Sequence, residues 1–235
     1  MSNKEKVRIN KYIADKGICS RREADDLIAA GLVSINGRKA QLGQKVRPND
    51  KVKVKGKIIS DIEVEDIYIA FNKPVGIVTT TAEEEKNNII DYINFPERIF
   101  PVGRLDKDSE GLILLTNDGE IVNKMMKSSA NKEKEYLVEV NKPYDHEFVQ
   151  KMENGVYILG IETKPAIFKP VSNTQFKLTI TQGLNRQIRR MCKALGYEVL
   201  SLKRIRIMNI TLGNLQPGEW REIGYKELEQ LKSLL

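Results

Sequence analysis

The apolar residues of the first sixty positions change from helical spacing to strand spacing. Ile9 and Ile13 lie four residues apart, on one face of a helix. Ser20 precedes Glu23 by three residues, which is the pattern of a capping box, so a second helix is expected to begin there. We therefore predict two short helices between residues 9 and 31.

Strand patterns follow these helices. Residues 32–35 are mainly apolar, and the Asn36-Gly37 pair after them is typical of a tight hairpin turn. Residues 51–55 alternate Lys with Val, which predicts a strand with one exposed face.

The rest of the chain mixes strands with short helices. Strands are predicted at residues 67–71, 76–80, 112–116, 135–140, 176–181 and 204–212, and helices at residues 117–127, 145–153, 186–195 and 226–234. An acidic stretch separates the two regions. We predict an α+β protein: a small α-rich domain (1–60), a linker (61–66) and a larger domain (67–235) with a mostly antiparallel mixed sheet flanked by helices.

The positive charge of the chain lies in two blocks. Residues 1–60 carry 15 Lys and Arg against 6 Asp and Glu, and residues 177–206 carry 8 against 1. The net charge of all 235 residues is only +7, so the remainder is acidic. Two basic blocks on an acidic chain favour a phosphate-bearing partner over a merely solvated surface.

Other features of the composition narrow the class of protein. No apolar run approaches the roughly 18 residues of a membrane span, and the first residues show no signal-peptide core. We therefore expect a cytoplasmic protein that does not enter a membrane. Two cysteines, Cys19 and Cys192, exclude a disulfide scaffold, and a single histidine, His146, excludes most His-rich metal sites.

Residues 101–111 combine acids, bases and glycines between two apolar strands. An acid beside Arg104, such as Asp106, can be a nucleophile, a general base or a metal ligand. A metal site made from Asp106, Asp108 and Glu110 is weakened by a lysine that lies among them. On composition alone, an ordinary polar turn is the simpler interpretation.

The helix predicted at residues 186–195 has an apolar face and an opposite positive face. Its cations are Arg186, Arg189, Arg190 and Lys193. Like charges at this spacing repel and no acid is interleaved, so a polyanion or one buried acid is the expected partner. Asn185 can cap this helix. Arg189 is nearest the apolar face, so we expect it to be half-buried.

Arg21, Arg22 and Tyr136 are further candidate site residues. Arg21 and Arg22 lie in the first turn of a predicted helix, where they either point into water or reach a phosphate that the helix N-terminus also attracts. The basic surroundings favour the phosphate. Tyr136 lies in an alternating strand, where a tyrosine usually serves packing.

Two resemblances connect these segments. Residues 7–57 resemble the S4 RNA-binding domain, mainly through Ser-Arg-Arg-Glu-Ala at residues 20–24 and Gly-Leu-Val-Ser-Ile-Asn-Gly at residues 31–37. Nearly the whole chain resembles the bacterial ribosomal pseudouridine synthases of the RsuA type. The matching segments are Asn-Lys-Pro-Val-Gly (72–76), Gly-Arg-Leu-Asp (103–106), Thr-Asn-Asp-Gly (116–119), Lys-Glu-Tyr (134–136) and Asn-Arg-Gln-Ile-Arg-Arg-Met (185–191). The last segment is most similar to the branch that acts on large-subunit RNA, with some members acting on a tyrosine tRNA.

The second resemblance implies an enzyme that detaches uracil from its ribose, turns it over and reattaches it through carbon. Asp106 matches the catalytic aspartate, Tyr136 the tyrosine that stacks on the target base, and Arg189 the basic partner of the aspartate. Arg104 matches the residue that fills the gap left by the flipped base. The other expected RNA contacts are Arg21, Arg22, Lys73, Arg186, Arg190 and Lys193.

The resemblance also implies a ribosomal RNA substrate, extending to a tRNA, and no metal, nucleotide or redox cofactor. We expect a monomer. Two other functions stay open. A non-catalytic RNA-binding ribosome-assembly factor would use the same basic blocks, but it gives no reason for Asp106, Tyr136 and Arg189 to occur together. A metal-dependent RNA nuclease would use Asp106, Asp108 and Glu110.

Overall fold

A computed structural model of the protein describes residues 6–127 and 132–235. The contacts between residues divide the chain into two compact units, Met1–Asp66 and Ile67–Leu235. Within the described ranges, no helix combines the length and the apolar character needed to cross a membrane.

The first unit packs two helices against short strands. Its elements are β1 (Val7–Arg8), α1 (Ile9–Asp15), α2 (Arg21–Ala29), β2 (Val33–Ile35), β3 (Arg38–Lys39), β4 (Lys45–Val46), β5 (Val52–Val54) and β6 (Lys57–Ile58). The predicted capping box is present, because the Ser20 hydroxyl accepts from the Glu23 amide and the Glu23 carboxylate accepts from the Ser20 amide. The hairpin between β2 and β3 turns at Asn36 and Gly37, both at positive φ, as predicted.

A separate apolar core holds this unit together. Ile9 and Ile13 of α1 and Ile28 of α2 are buried with Val33 and Val52 of the strands. The unit therefore has a core of its own, which agrees with a small domain that packs independently.

The second unit is built on one large sheet. Its elements are β7 (Tyr68–Lys73), α3 (Ile89–Ile93), β8 (Phe100–Pro101), β9 (Glu110–Thr116), α4 (Gly119–Met126), β10 (Lys134–Val140), α5 (His146–Asn154), β11 (Tyr157–Ile158), β12 (Ile161–Glu162), β13 (Ile167–Pro170), β14 (Gln175–Ile180), α6 (Gln187–Ala194), β15 (Val199–Ile207), β16 (Ile210–Thr211), β17 (Trp220–Glu222) and α7 (Tyr225–Ser233).

The sheet of the second unit is mixed but mostly antiparallel, as predicted. Its strand order is β13-β14-β10-β15-β9-β7-β17, with β16 paired to β15 and β8 paired to β9. Only β15 and β9 run parallel among the described strands, and they pair at Arg204 and Gly111. Helices cover the sheet: Met152 of α5 and Met191 of α6 join one apolar cluster, and Leu231 of α7 joins another.

Two predicted strands differ from the structure. Residues 76–80 form no strand, and Val78 makes only an isolated bridge with Asn88, because this segment supports a neighbouring loop instead. The strand predicted at residues 204–212 begins earlier, at Val199, and is interrupted after Ile207. Met208 there adopts a positive φ of 53°, so the chain turns back as a hairpin into β16.

Candidate active site

A cavity of about 400 Å³ lies in the second unit, where β10 and β15 face the loop before β9 and the start of α6. Cavities of this size hold small organic groups. Apolar side chains form much of the described wall, and its basic side chains are Arg104, Lys132, Lys134, Arg186 and Arg204. Asp106 is the one acidic side chain among the described residues that line it. The cavity therefore suits an anionic substrate next to a single carboxylate.

The sheet places Tyr136 and Arg204 side by side. Tyr136 of β10 is the direct partner of Arg204 of β15, so both side chains leave the same face of the sheet. Tyr136 is 8% exposed and Arg204 is 3% exposed, and both line the cavity. Burial, together with the charge of Arg204, lowers the pKa of Lys134, which lies two residues before Tyr136.

The loop that carries Asp106 is fixed by hydrogen bonds to its backbone. The Thr79 hydroxyl donates to the Leu105 carbonyl (2.7 Å) and accepts from the Leu105 amide (3.3 Å). The Gly76 amide donates to the Lys107 carbonyl (2.8 Å), and the Ser109 amide donates to the Asp106 carbonyl (3.1 Å). Among the described residues, the Asp106 carboxylate has no hydrogen bond or ion pair, and it is left facing the cavity.

Lys73 does not lie on a surface that RNA could reach, so the predicted RNA contact is wrong. Its side chain is fully buried, and its ammonium donates to the carbonyls of Pro74 (2.8 Å) and Ile77 (2.9 Å). These bonds close the turn that contains Gly76. Burial first, and the charge of Arg204 second, lower the pKa of Lys73 to about 8.

The lowered pKa of Lys73 predicts a pH-dependent stability. The unfolded chain holds this proton up to its ordinary pKa of about 10.4, whereas the folded chain releases it near pH 8. Folding is therefore favoured more as pH rises from about 8 to 10, so the Lys73 contribution to stability should increase across that window. Urea unfolding of wild type and Lys73→Met at several pH values tests this. An equal difference between the two proteins at every pH would contradict it.

The Thr-Asn-Asp-Gly segment at residues 116–119 has a structural role. The Asp118 carboxylate caps α4 by accepting from the Glu120 and Ile121 amides, and it also accepts from the Tyr68 hydroxyl (2.8 Å). The Asn117 side chain accepts from the Ile67 amide (2.8 Å). The segment thus fixes the start of α4, whose final residues line the cavity.

The predicted ion pair between Asp106 and Arg189 is absent from the described residues, because Arg189 pairs with Asp108 instead. Arg189 Nε lies 3.5 Å from the Asp108 carboxylate, and its Nη2 donates to the Asp108 carbonyl (2.8 Å). Its Nη1 donates to the Val199 carbonyl (3.1 Å). Arg189 is half-buried, as predicted, but it does not line the cavity.

Arg186 also contacts Asp108, in a two-point ion pair. Its Nη1 and Nη2 donate to the two carboxylate oxygens at 2.9 and 2.6 Å. This hydrogen bonding from Arg186, with the charge of Arg189 as a smaller cause, lowers the pKa of Asp108. Arg186 rather than Asn185 is the N-cap residue of α6, at a φ of 51°, so the predicted Asn185 cap is wrong.

The remaining predicted RNA-binding cations are exposed. They are Arg21 and Arg22 in the first turn of α2, Arg104 at the cavity, and Arg190 and Lys193 on α6. Arg190 donates to the carbonyl and the side-chain oxygen of Asn185, at 3.0 and 3.1 Å. Lys193 has no side-chain partner among the described residues, so its ammonium is accessible to a phosphate.

The acids near Asp106 do not form a metal-binding set. Asp108 is held by two arginines, and Glu110 lies 3.6 Å from Lys203. In the part of the chain that the structure describes, no three His, Cys, Asp or Glu side chains lie close enough together to hold a metal ion. The geometry of these acids therefore gives no support to the nuclease alternative.

Two residues of the site were missed from the sequence. Thr79 belongs to a segment predicted as a strand, and Arg204 to a strand in which an arginine is expected to be exposed. Their contacts to the Asp106 loop join positions 26 to 100 residues apart. No local sequence pattern reports such contacts.

Two family models match this chain. Residues 67–194 match the family described as RNA pseudouridylate synthase, and residues 7–52 match the S4 domain. The dual-specificity RNA pseudouridine synthase RluF of Escherichia coli strain K12 is 53% identical over 230 residues, which cover 97% of this chain and 79% of the relative.

Two further likenesses extend over nearly the whole chain. The ribosomal large subunit pseudouridine synthase B of Bacillus subtilis is 37% identical over 236 residues, which cover 97% of this chain and 96% of the relative. A crystal structure described as a pseudouridylate synthase superposes with a TM-score of 0.70 at 30% identity, covering 96% of this chain and 99% of that one.

Proposed function

Because the chain belongs to the RNA pseudouridylate synthase family, we propose that it isomerises uridine in large-subunit ribosomal RNA, with a tRNA as a second substrate. The cavity carries this proposal, since its described lining residues combine one carboxylate, one buried tyrosine and five basic side chains. A non-catalytic assembly factor would need the basic residues alone. One relative is named for the large ribosomal subunit and another for dual specificity towards RNA, and these likenesses support a ribosomal substrate together with a second RNA.

The proposed reaction moves uracil from one bond to another on the same ribose, and this chain supplies a charged carboxylate and a ring that positions the base. The bond from C1′ of the ribose to N1 of uracil breaks, and a bond from C1′ to C5 forms. One proton leaves C5 and one is gained at N1, so no redox equivalent is consumed. The Asp106 carboxylate acts where positive character develops during bond breaking. The Tyr136 ring, buried in the wall, stacks against the turned base.

The proposed RNA path uses the exposed cations. Arg104 is exposed beside the cavity, and its side chain fills the space that the extruded base leaves in the RNA. Arg186, Arg190 and Lys193 supply phosphate contacts from the start and the polar face of α6. Arg189 positions Asp108 and the loop around it.

The first unit is proposed to contact the same RNA. Arg21 and Arg22, exposed at the start of α2, are proposed to contact phosphates of the same RNA. We further propose that residues 1–60 form the RNA-binding domain and residues 67–235 the catalytic domain of a cytoplasmic monomer.

Mapping of pseudouridines tests the function directly. Ribosomal RNA and tRNA from a strain that lacks this gene should each miss a pseudouridine that the parent strain has. Expression of the wild-type protein should restore both, and expression of Asp106→Asn should restore neither. Restoration by Asp106→Asn would favour an assembly factor over an enzyme.

The exposed position of Lys193 predicts a binding defect without a catalytic one. Replacing it with Gln removes one phosphate contact, so the slope of log affinity against log salt should become shallower by about 0.7–0.9. The single-turnover rate of bound RNA should remain within about twofold. Affinity measurements between 50 and 300 mM salt check this. An unchanged slope would show that Lys193 does not contact phosphate.

The salt dependence of RNA affinity also tests the proposed phosphate contacts of Arg21 and Arg22 in the first unit. Replacing both with Gln should weaken RNA binding and reduce the salt slope by about 1.4–1.8 if each contacts one phosphate. The two substitutions should leave the thermal midpoint of unfolding unchanged or slightly raised, because cations are unfavourable at a helix N-terminus. Lost affinity with an unaltered salt slope would contradict the phosphate contacts.

A further inference from the structure

Two lysines of the cavity wall are unpaired among the described residues. Lys132 and Lys134 both line the cavity, where Lys132 is 5% exposed and Lys134 is half-buried. Within residues 6–127 and 132–235, neither side chain makes a hydrogen bond or an ion pair. Lys134 lies two residues before Tyr136 on β10, so both side chains leave the same face of the sheet, towards the cavity.

Arg204 adds a third cation to this part of the wall. It is 3% exposed, and it lies on β15 as the direct partner of Tyr136. Its Nε donates to the Leu112 carbonyl (2.6 Å), and its Nη1 donates to the Arg104 carbonyl (3.3 Å). Its Nη2 is buried and has no hydrogen-bond partner in the part of the chain that the structure describes. The guanidinium thus has one unused donor nitrogen and only neutral partners there.

The three cations are close enough together to repel one another. Burial is the main cause that lowers the pKa of Lys134, and the positive charges of Arg204 and Lys132 follow. No carboxylate of the described residues offsets these two charges at Lys134. This part of the wall is therefore positive and lacks a counter-charge of its own among those residues.

The acids that flank these lysines in the sequence pair with a different cation. Glu133 and Glu135 each form an ion pair with Arg206, at 2.9 Å. Glu135 is also the direct partner of Arg206 across β10 and β15, so it lies on the sheet face opposite to Lys134 and Tyr136. The lysines thus receive no compensation from their sequence neighbours, and a buried positive charge without an opposite charge is unfavourable.

The donors of these side chains define the ligand. Lysine and arginine side chains only donate hydrogen bonds, so the ligand must carry acceptors and negative charge. A phosphate group has both properties, since its oxygens accept from ammonium and guanidinium groups alike. The cavity of about 400 Å³ has room for a small organic group that bears a phosphate. Each internal nucleotide of an RNA has a phosphate on either side of its ribose.

We propose that Lys132, Lys134 and Arg204 form a phosphate subsite inside the cavity, which binds a phosphate attached to the ribose of the target uridine. Bonds break and form at C1′ of this ribose, and the uracil is detached from it in between. A ribose that is held through its phosphate keeps its place while the base turns. The identity of the nucleotide rests on the proposed synthase function, whereas the binding of phosphate does not.

Calorimetry on the full chain without RNA tests the subsite. The probes are inorganic phosphate, uridine, uridine 3′-monophosphate and uridine 5′-monophosphate. We expect one of the monophosphates to bind at least about tenfold more tightly than uridine, because hydrogen bonds to a charged group contribute this much. Inorganic phosphate should compete with it. Lys132→Gln and Lys134→Gln should each weaken the monophosphate by about tenfold, towards the affinity of uridine.

Lys203→Gln is the matched control for these variants. Lys203 lies next to Arg204 on β15 but pairs with Glu110 outside the cavity. Its substitution removes the same charge and should leave the affinity for the monophosphate within about twofold, because an exposed charge contributes little. Monophosphates that bind no more tightly than uridine would overturn the subsite. Lysine variants that lose no more affinity than Lys203→Gln, or inorganic phosphate that binds without competing, would do the same.

The thermal midpoint of unfolding separates phosphate binding from a structural role. Because Lys134 is buried among like charges, Lys134→Gln should leave the midpoint of the free protein unchanged or raise it. Phosphate should raise the midpoint of wild type more than that of the variant, since a ligand stabilises the state that binds it. A lowered midpoint with an unchanged response to phosphate would assign Lys134 to packing and overturn the proposal. If Lys134→Gln does not fold, the same comparison with Lys132→Gln decides.

Single-turnover rates connect the subsite with the proposed reaction. Lys134→Gln should lower the rate of bound RNA by about tenfold, while RNA affinity changes by less than about threefold because other phosphate contacts remain. Lys134→Arg keeps the charge and should recover most of the rate. Affinity losses that match the rate losses would overturn the role in holding the ribose. Monophosphate binding that depends on both lysines, with no synthase activity of wild type, would contradict the proposed function alone.

Discussion

Replacing Asp106 with Asn is expected to abolish pseudouridine formation while RNA binding stays within a few fold of wild type. The carboxylate is the one acid of the described cavity wall, and the proposed chemistry runs through it. Removing a residue that bonds to or stabilises the reacting centre costs about 10⁴-fold or more in rate. A carboxylate adds little attraction to a polyanion, so its loss should not weaken binding. Single-turnover assays and filter binding on the same RNA measure both effects.

Asp108→Asn is the matched control for this prediction. Asp108 lies two residues further on and pairs with Arg186 and Arg189, outside the reacting position. Its substitution should lower the rate far less, because it disturbs the loop and removes no reacting group. If both variants lose activity alike, or if Asp106→Asn loses binding as much as activity, the catalytic role of Asp106 is wrong.

The second large effect is expected from Gly111→Ala, which should destabilise the second unit by about 4 kcal/mol or more. Gly111 has a φ of 108°, which alanine rarely adopts. The added Cβ would lie 2.3 Å from the Arg204 carbonyl oxygen and 2.6 Å from its amide nitrogen. These atoms belong to the central strands β9 and β15, so they cannot move without breaking the parallel pairing.

Chemical unfolding measures this loss, and Gly183→Ala is its control. A Cβ at Gly183 would meet no atom within 4 Å, so its substitution should change stability by less than about 0.5 kcal/mol. Gly111→Ala should also lose activity, because it displaces Arg204. A Gly111→Ala protein as stable as wild type would show that the two strands can separate without cost.

Local chemistry explains which parts of the fold could be predicted from the sequence. The capping box at Ser20 and the Asn36-Gly37 turn depend on residues three or fewer positions apart, and both are present. The sheet strands 112–116 and 135–140 follow continuous or alternating apolar runs, and they lie within β9 and β10. Such patterns report burial on one face, which is the main determinant of these elements.

The predictions that were wrong concern residues whose positions depend on contacts with segments far away in the sequence. Residues 76–80 have the β-branched composition of a strand, but their hydrogen bonds go to the loop at Leu105 and Lys107. Lys73 is a cation in a family segment, which predicts an RNA contact, yet its side chain is buried and its ammonium donates to the Pro74 and Ile77 carbonyls. A sequence shows that a lysine is charged but not which carbonyl oxygens lie beside it.

In the candidate site, too, the sequence could identify only those residues that do not depend on distant contacts. Asp106 and Tyr136 line one cavity, and the family segments identified them. The segments could not show that Arg189 pairs with Asp108, because a difference of two residues in a turn decides which carboxylate is in reach. Arg204 could not be identified either, since its burial follows from its pairing with Gly111 and Tyr136 on neighbouring strands.

The parallel pairing of β9 with β15 also determines when the enzyme becomes competent during its own synthesis. Arg204 follows Leu112, its hydrogen-bond partner, by 92 residues. At about 5–20 residues per second, a ribosome adds Arg204 roughly 5–20 s after Leu112. Until then a nascent chain contains Asp106 and the whole first unit but lacks the strand that completes the cavity. A chain released before residue 199 is therefore expected to hold RNA without modifying it, so premature termination yields a competitor of the enzyme.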